Sequence, residues 1–151
     1  MKFTSDELTG LLKQPDLLQL KKVDLSLADL RRAYLNGAEL SGAKILAANL
    51  NQSELRGSNL SWTDLSQAHL GRSDLSKASL VETNLSGADL CSANLHGADL
   101  RWADLRQANF VWADLSGISL SDAKLSGAQY NQDTRWPDDF DPQKSRSVLS
   151  K

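Results

Sequence analysis

Residues 88–107 read ADLCSANLHGADLRWADLRQ, and the same unit of five residues recurs along most of the chain. Every fifth residue from Leu25 to Tyr130 is large and apolar, and Leu occupies 19 of these 22 positions. Two residues earlier stands a small residue, which is Ala in 15 of the 22 units, and a polar residue separates the two. Internal repetition of this kind bears on the whole fold and is interpreted before any single motif.

The period of five residues excludes the common secondary structures as the source of the pattern. An amphipathic helix places apolar residues about 3.6 apart, and a half-buried strand places them 2 apart. On a helix, steps of five residues would rotate the leucines by about 140° each and scatter them around the axis. A solenoid whose backbone turns a corner every five residues collects all of them inside. Each unit then supplies an inward small residue, an outward polar residue, an inward large residue and two corner residues.

The tandem A(D/N)LXX motif resembles that of the pentapeptide-repeat family, in the style of bacterial and especially cyanobacterial members. The resemblance implies an all-β solenoid, a right-handed quadrilateral parallel β-helix with four pentapeptides in each coil. Residues 21–130 would form about five and a half coils. We expect residues 1–20 to form an N-terminal cap with a short helix, and residues 131–151 to form a C-terminal cap and a frayed tail.

A coil of four units places residues 20 apart directly above one another, about 4.8 Å apart. Like charges stacked this closely are destabilising. In the four columns of outward polar residues, only Glu54 below Asp74 repeats a charge. The distribution of charges therefore supports a coil of four units.

Glycine is concentrated at the second corner residue of the units. A type II turn needs a positive φ at its third residue, which favours Gly. We therefore predict type II turns along the edge of Gly37, Gly57, Gly97 and Gly117. We predict other turn types where the second corner residue is large, at the corners listed here: Trp62, Arg72, Trp102 and Trp112.

The repeat breaks at both ends, where a solenoid needs caps over its open coils. Thr4 and Glu7 have the spacing of a capping box, which predicts a helix over residues 4–13. At the other end, Trp136, Pro137 and Phe140 are expected to fold across the last coil. The polar stretch from residue 143 to residue 151 is expected to fray.

Composition limits the function classes. The net charge is −2, so no strong field favours nucleic acid or an anionic membrane. The sequence has no apolar run long enough to cross a bilayer and no signal segment at its N-terminus. One cysteine, Cys91, excludes an internal disulfide. We expect a cytoplasmic monomer that binds no cofactor and no metal.

Catalysis is not supported by the sequence. His69 and His96 fall on different faces, without the carboxylate or Cys partners that a metal site needs. The many Asp and Ser residues are explained by the repeat, and a Ser-His-Asp site needs a convergent cleft that a flat-sided rod does not offer. We therefore predict that the chain is not an enzyme.

Exposed aromatic residues are the clearest candidate binding feature. Trp62 and Trp102 occupy the same corner two coils apart, with Glu82 between them, and we assign Trp112 to an adjacent edge. We predict that these four residues form an anchor patch for a partner. The alternative is that the rings lie flat against the tower and shield its edge.

A second candidate is basic. Arg31, Arg32 and Arg72 share one corner, and Arg56 lies on the next face. These arginines could meet an acidic partner, although scattered surface arginines more often serve solubility.

Three function classes remain open. The first is a non-catalytic protein-interaction scaffold of unknown partner, similar to family members that bind a transcription factor during cyanobacterial cell differentiation. The second is a DNA mimic that binds DNA gyrase or another type II topoisomerase, as the quinolone-resistance members do. This chain lacks the apolar C-terminal dimerisation helix and the inserted loop of those members. The third, a structural or cold-tolerance role, would need outward Thr ladders, whereas the mid-tower threonines here point inward.

Overall fold

The computed structural model describes residues 19–145 and 148–149, and in it the chain coils with a repeat of four pentapeptides. Parallel β-bridges join each outward polar residue to the one 20 positions later, from Gln19 with Glu39 to Asn109 with Gln129. Each side of a coil contributes a single bridging residue before the next turn, so regular strands are rare. Two strands are assigned, Gln129–Tyr130 and Val148–Leu149, together with one 3-10 helix, Pro142–Ser145.

The core is a ladder of leucines stacked along the axis of the coil. The large residues from Leu20 to Leu115 are each at most 3% exposed, and Phe110 is fully buried among them. Alanines such as Ala88 and Ala108 fill the space beside them. Burying one Leu contributes roughly 2 kcal/mol, so the inward row holds the backbone in its square path.

The outward Asp and Asn residues bond to the backbone at the corner that follows them. The Ser26 amide donates to Asp24 at 3.1 Å, and the same contact recurs at most coils. Side chains also bond between coils, because the Asn84 amide nitrogen donates to Asp64 at 3.1 Å. These two contacts explain why the repeat prefers a short side chain with an acceptor oxygen at this position.

All second corner residues from Lys22 to Gly127 have positive φ, whether or not they are glycine. The prediction of other turn types at Trp62, Arg72, Trp102 and Trp112 is therefore wrong, since their φ values are 59°, 58°, 59° and 60°. At the Arg72 corner, the Ser73 amide donates to the Leu70 carbonyl at 3.1 Å, as in a type II turn. The stacked coils impose this backbone, and they override the preference of single residues for negative φ.

Hydroxyl residues replace the inward alanine in the middle of the tower. Ser58 and Ser73 donate to the carbonyls of Leu55 and Leu70, both at 2.7 Å. Thr63 and Thr83 donate to the carbonyls of Leu40 and Leu60, one coil below. Ser53 is the exception, because its buried hydroxyl has no partner. Most of these hydroxyls thus behave as buried polar groups are expected to.

The C-terminal end continues the coil after an insertion of one residue. Asp114 bridges to Arg135, 21 positions later, so Thr134, Arg135 and Trp136 form a small, polar and large triplet displaced by one. Thr134 donates to the Phe110 carbonyl at 2.9 Å, in the manner of the inward threonines below.

Trp136 covers the end of the core. Its ring centroid lies 6.0 Å from Phe110, 5.5 Å from Tyr130 and 5.0 Å from Phe140. Within the stretch from residue 143 onward that is expected to fray, Val148–Leu149 pair in parallel with Gln129–Tyr130. This pairing joins residues 19 apart, so it falls outside a strict count of fives.

Other expectations about the fold are not tested by the described residues. The predicted helix at 4–13, and most of the predicted cap at 1–20, fall outside the described residues. The right hand of the coil and the boundaries at 21–130 and 131–151 stay predictions. Among residues 19–145 and 148–149, no helix has the length and apolarity needed to cross a bilayer.

Candidate functional site

The most distinctive surface of the molecule is one corner column in the upper half of the tower. Trp62, Glu82, Trp102 and Asp122 stand one coil apart in succession, and we call these four residues the acidic edge. Backbone bonds hold the corners in a direct stack: the Trp62 amide donates to Val81 at 3.0 Å, and the Trp102 amide to Ser121 at 3.1 Å. Aromatic and acidic side chains therefore alternate along this edge.

The tryptophan rings project into solvent. Trp62 is 62% exposed and Trp102 is 50% exposed. Rings that lay flat against the tower would be mostly covered, so these values argue against a purely shielding role. A Trp ring offers a large contact area at low entropy cost, which is why it is common at the centres of interfaces.

The predicted cluster of three tryptophans does not form. Trp112 follows Trp102 by two corners of a square coil, and it therefore lies on the diagonally opposite edge. The assignment to an adjacent edge is wrong, because neighbouring edges differ by only one pentapeptide. Trp112 is 57% exposed and stacks above Ser92 and Arg72 instead.

That opposite column carries the positive charge. Arg32, Gln52, Arg72, Ser92 and Trp112 follow one another at intervals of one coil, and we call them the basic edge. The Arg32 guanidinium donates to Gln52 at 2.9 Å, so it is partly occupied within the edge.

The other two predicted arginines do not extend the basic edge. Arg31 is the first corner residue beside Arg32, and its guanidinium pairs with Asp29 at 2.6 Å. This pairing lowers the pKa of Asp29 to about 2, through a side-chain and a backbone hydrogen bond from Arg31. Arg56 lies at the next corner, with its amide bonded to Asn36 at 2.8 Å. The structure thus unites Arg32 and Arg72 in one column and separates Arg56 from them.

Arginines near the acidic edge are neutralised locally. Arg101 pairs with Asp99 at 2.7 Å, and Arg106 pairs with Asp104 at 2.6 Å. The hydrogen bond from Arg101 lowers the pKa of Asp99, and the hydrogen bond from Arg106 lowers the pKa of Asp104. These four side chains therefore contribute little net charge to the edge.

Glu82 and Asp122 keep their charge unpaired. Within the part of the chain that the structure describes, neither carboxylate takes part in an ion pair or a side-chain hydrogen bond. The Arg101 guanidinium lies 5.5 Å from the Trp102 ring centroid, so the aromatic part of the edge already accepts a cation. Such a contact contributes about 0.5–1 kcal/mol at an exposed site.

A shallow cavity of about 550 Å³ opens beside Trp102. It is lined by residues of three successive coils around this ring: Glu82, Asn84, Asp104, Asp122 and Lys124. Three carboxylates and one ammonium group give the cavity a negative balance, although Arg106 offsets one of the carboxylates. The arrangement suits an elongated ligand that carries positive charge and apolar surface.

The sequence interpretation missed Asp122 and Lys124 as members of this site. Asp122 stands one coil after Trp102 and could have been found by extending the corner column. Lys124 belongs to a column of outward residues, but nothing in that column indicates an opening beside Trp102. The cavity arises from side-chain positions, which the repeat does not dictate.

The two histidines are not arranged for catalysis. His96 contacts the Ser116 hydroxyl at 3.0 Å, and that hydroxyl donates to Asp114 at 2.6 Å. Partial burial opposes ionisation of Asp114, but the bonds from Ser116 outweigh it and lower the pKa of the carboxyl. Because the Ser proton is directed to Asp114, His96 cannot act as the base that activates this hydroxyl. His69 is exposed on another face.

Metal and thiol chemistry gain no support from the described residues. Among them, no group of three or more His, Cys, Asp or Glu side chains has the arrangement to hold a metal ion. Cys91 is a half-buried free thiol whose sulfur lies 3.8 Å from the Ser92 hydroxyl.

Comparison with known proteins identifies the repeat. The sequence profile described as Pentapeptide repeats matches in 8 copies over residues 19–52, 33–72, 68–107 and 98–129. No curated protein matches the chain.

Several solved structures are similar to this chain. Rfr23, a pentapeptide repeat protein from the cyanobacterium Cyanothece 51142, is 28% identical over 85% of this chain and 99% of its own, with a TM-score of 0.64. A pentapeptide repeat protein from Nostoc PCC 7120 is 38% identical over 80% of this chain and 86% of its own, with a TM-score of 0.33. QnrB1, a plasmid-mediated fluoroquinolone resistance protein, is 20% identical over 89% of this chain and 65% of its own, with a TM-score of 0.45. Because the profile spans most of the chain and agrees with the motif and register of the coils, the chain belongs to the pentapeptide-repeat family.

Proposed function

We propose that the protein is a non-catalytic interaction scaffold that binds another protein through the acidic edge. The observation that carries the proposal is the stack of two exposed tryptophans, Trp62 and Trp102, interleaved with the unpaired carboxylates of Glu82 and Asp122. Aromatic anchors surrounded by charged groups are typical of protein-binding surfaces.

The rigid backbone supports this role. The amides of Trp62, Glu82 and Trp102 donate to the coil above, and the Asp122 corner is held from below through the Ser121 carbonyl, so the four side chains project from positions that do not need to be ordered on binding. Pre-organisation of this kind lowers the entropy cost of association. A cytoplasmic location and a monomeric state are part of the same proposal.

Affinity capture from a lysate of the source organism tests the proposal. The wild-type chain, the double variant Trp62→Ser/Trp102→Ser and the matched control Trp112→Ser would be immobilised at equal density. We expect one specific protein to be retained by the wild type and by Trp112→Ser and lost by the double variant. Capture of the same proteins by all three chains would contradict the assignment of the acidic edge.

The same experiment addresses binding to DNA gyrase or another topoisomerase, the alternative function. A DNA mimic presents a continuous negative surface, whereas this tower carries Arg32 and Arg72 on its basic edge. Recovery of gyrase subunits by the wild type and by the double variant alike would favour the alternative over the scaffold.

A further inference from the structure

The side chains of the acidic edge are spaced at a fixed interval. Glu82 and Asp122 are separated by two coils, as are Trp62 and Trp102, and stacked strands are about 4.8 Å apart. The carboxylates therefore repeat at roughly 9.6 Å, and the aromatic rings repeat at the same interval but are displaced by one coil. A ligand that fills this edge must present matching groups at this spacing.

The side chains along the acidic edge favour a positively charged group on the ligand. Below Trp102 lies Glu82 and above it lies Asp122, and neither carboxylate has an ion-pair partner among the described residues. A guanidinium or ammonium group placed beside Glu82 would meet the carboxylate and the rings of the two tryptophans together. Arg101 already shows the second kind of contact, at 5.5 Å from Trp102.

The interval selects the conformation of the ligand. A polyproline II helix rises about 3.1 Å per residue with three residues per turn, so every third side chain lies on one face about 9.3 Å apart. In an extended strand, side chains on one face repeat at roughly 6.7 Å. In an α-helix they repeat at roughly 10.5 Å over seven residues. The polyproline II spacing matches the edge most closely, and its stiff backbone loses little entropy on binding.

We propose that the acidic edge binds a polyproline II segment of a partner protein that carries Arg or Lys at every third residue. One cation sits at Glu82 between Trp62 and Trp102, and the next sits at Asp122, with the cavity of about 550 Å³ beside Trp102 receiving the backbone between them. This inference rests on the proposed scaffold function and names the chemistry of its partner.

A second copy of the chain is the competing occupant, because Arg32 and Arg72 of the basic edge also repeat at two coils. Its cations are less available, since Arg32 already donates to Gln52 at 2.9 Å. The cations of a free peptide segment are not already engaged in a hydrogen bond of this kind. The test therefore includes the mass of the protein in solution.

Binding of synthetic peptides to the whole chain tests the inference. One peptide contains four Arg-Pro-Pro units, and a control of identical composition places its four arginines together at one end. Because the two peptides have equal charge, an electrostatic attraction that does not depend on the spacing of the arginines would bind both peptides equally. Affinity is measured by titration calorimetry and Trp fluorescence at about 0.15 M salt, where weak long-range attraction is screened.

We expect the evenly spaced peptide to bind at least tenfold more tightly than the control. Trp62→Ser/Trp102→Ser should weaken this binding at least tenfold, Glu82→Gln/Asp122→Asn about fivefold, and Trp112→Ser not at all. The far-ultraviolet circular dichroism and melting temperature of each variant confirm that it is folded. The two double variants give independent evidence, because one removes rings and the other removes only charge.

Three results would overturn the inference: equal affinity for both peptides, unchanged affinity in the two double variants, or a concentration-dependent increase in mass that Arg72→Ser abolishes. If the peptides fail while lysate capture still depends on Trp62 and Trp102, the scaffold function stands and the polyproline II ligand is wrong. If capture also fails, both proposals fall.

Discussion

The acidic edge and the basic edge stand at diagonally opposite corners of the same square coil, yet their backbones are alike. Both have positive φ at every second corner residue, and both carry exposed tryptophan. They differ only in the side chains that the repeat leaves free, with Glu82 and Asp122 on one and Arg32 and Arg72 on the other. The comparison shows that the inward residues determine the scaffold, while the chemical differences between the two edges are confined to the corners and outward positions.

The largest expected effect comes from a substitution in the core, which supports both edges. Leu85 is fully buried between them, and Leu85→Ala should lower the free energy of unfolding by about 2–5 kcal/mol. Urea unfolding would be followed by tryptophan fluorescence in variants that carry Trp136→Phe and retain either Trp62 and Trp102 or Trp112. The unfolding midpoints reported by the tryptophans of the two edges should shift by the same amount. A shift at one edge alone would show that the edges are supported independently. Trp112→Ser, an exposed control, should change stability by about 0.5 kcal/mol or less.

A smaller effect comes from backbone strain at the second corner residues. The acidic and basic edges both have this strain, whereas Gly37, Gly57, Gly97 and Gly117 avoid it on a third edge. Gly57 has φ 65° and nothing within 4 Å of an added Cβ, so Gly57→Ala tests conformation without a clash. The change should destabilise the chain by about 1 kcal/mol, measured by urea unfolding, because the left-handed region is unfavourable for residues with a Cβ. Arg72→Gly on the basic edge is the reverse control and should stabilise. A neutral outcome for both would show that the stacked coils absorb the strain.

Ion pairs beside the two edges should respond differently to acid. Asp29 pairs with Arg31 near the basic edge with its side chain 59% exposed, while Asp104 pairs with Arg106 near the acidic edge and is 19% exposed. The pKa of Asp29 is lowered to about 2 and that of Asp104 is lowered as well, so both pairs stabilise the fold above about pH 4 and lose this contribution as the pH falls through the lowered pKa of each carboxyl.

Solvent screening makes the exposed pair the weaker one. Asp104→Asn should therefore cost more stability at pH 7 than Asp29→Asn, about 1 kcal/mol or less, and the difference should be smaller at about pH 3. Unfolding free energies measured at both pH values check this expectation. A larger loss for Asp29→Asn, or a difference that does not decrease in acid, would contradict it.

The smallest effect is a direct measure of the charge difference between the edges. At low salt, caesium ions should quench Trp62 and Trp102 more efficiently than Trp112, and iodide should show the opposite preference, by a factor below about two. Variants with Phe in place of Trp136 and of the other edge's tryptophans isolate each signal. Equal quenching by both ions at both edges would show that the charge difference does not reach the rings.

The sequence predicts most of the scaffold and only part of the site. The inward leucines and the register between coils follow from periodicity, because one apolar row must be buried. The turn at Trp62 and Arg72 does not, since the stacked backbone overrides the preference of those residues. The position of Trp112 is derivable, because two pentapeptides span half a coil, yet the prediction puts it on the wrong edge. The pairing of Val148–Leu149 with Gln129–Tyr130 stays hidden, because it joins residues 19 apart and so falls outside the count of fives.

The backbone bridges have a consequence for how this chain folds. Nearly all of them join residues 20 apart in a chain of 151, a ratio of about 0.13, which is low for an all-β protein. Each completed coil is a template on which the following coil can be added, with no distant segment required. We therefore expect the tower to grow stepwise during synthesis, with the Trp136 cluster closing it last, and to fold faster than a β-sandwich of similar length.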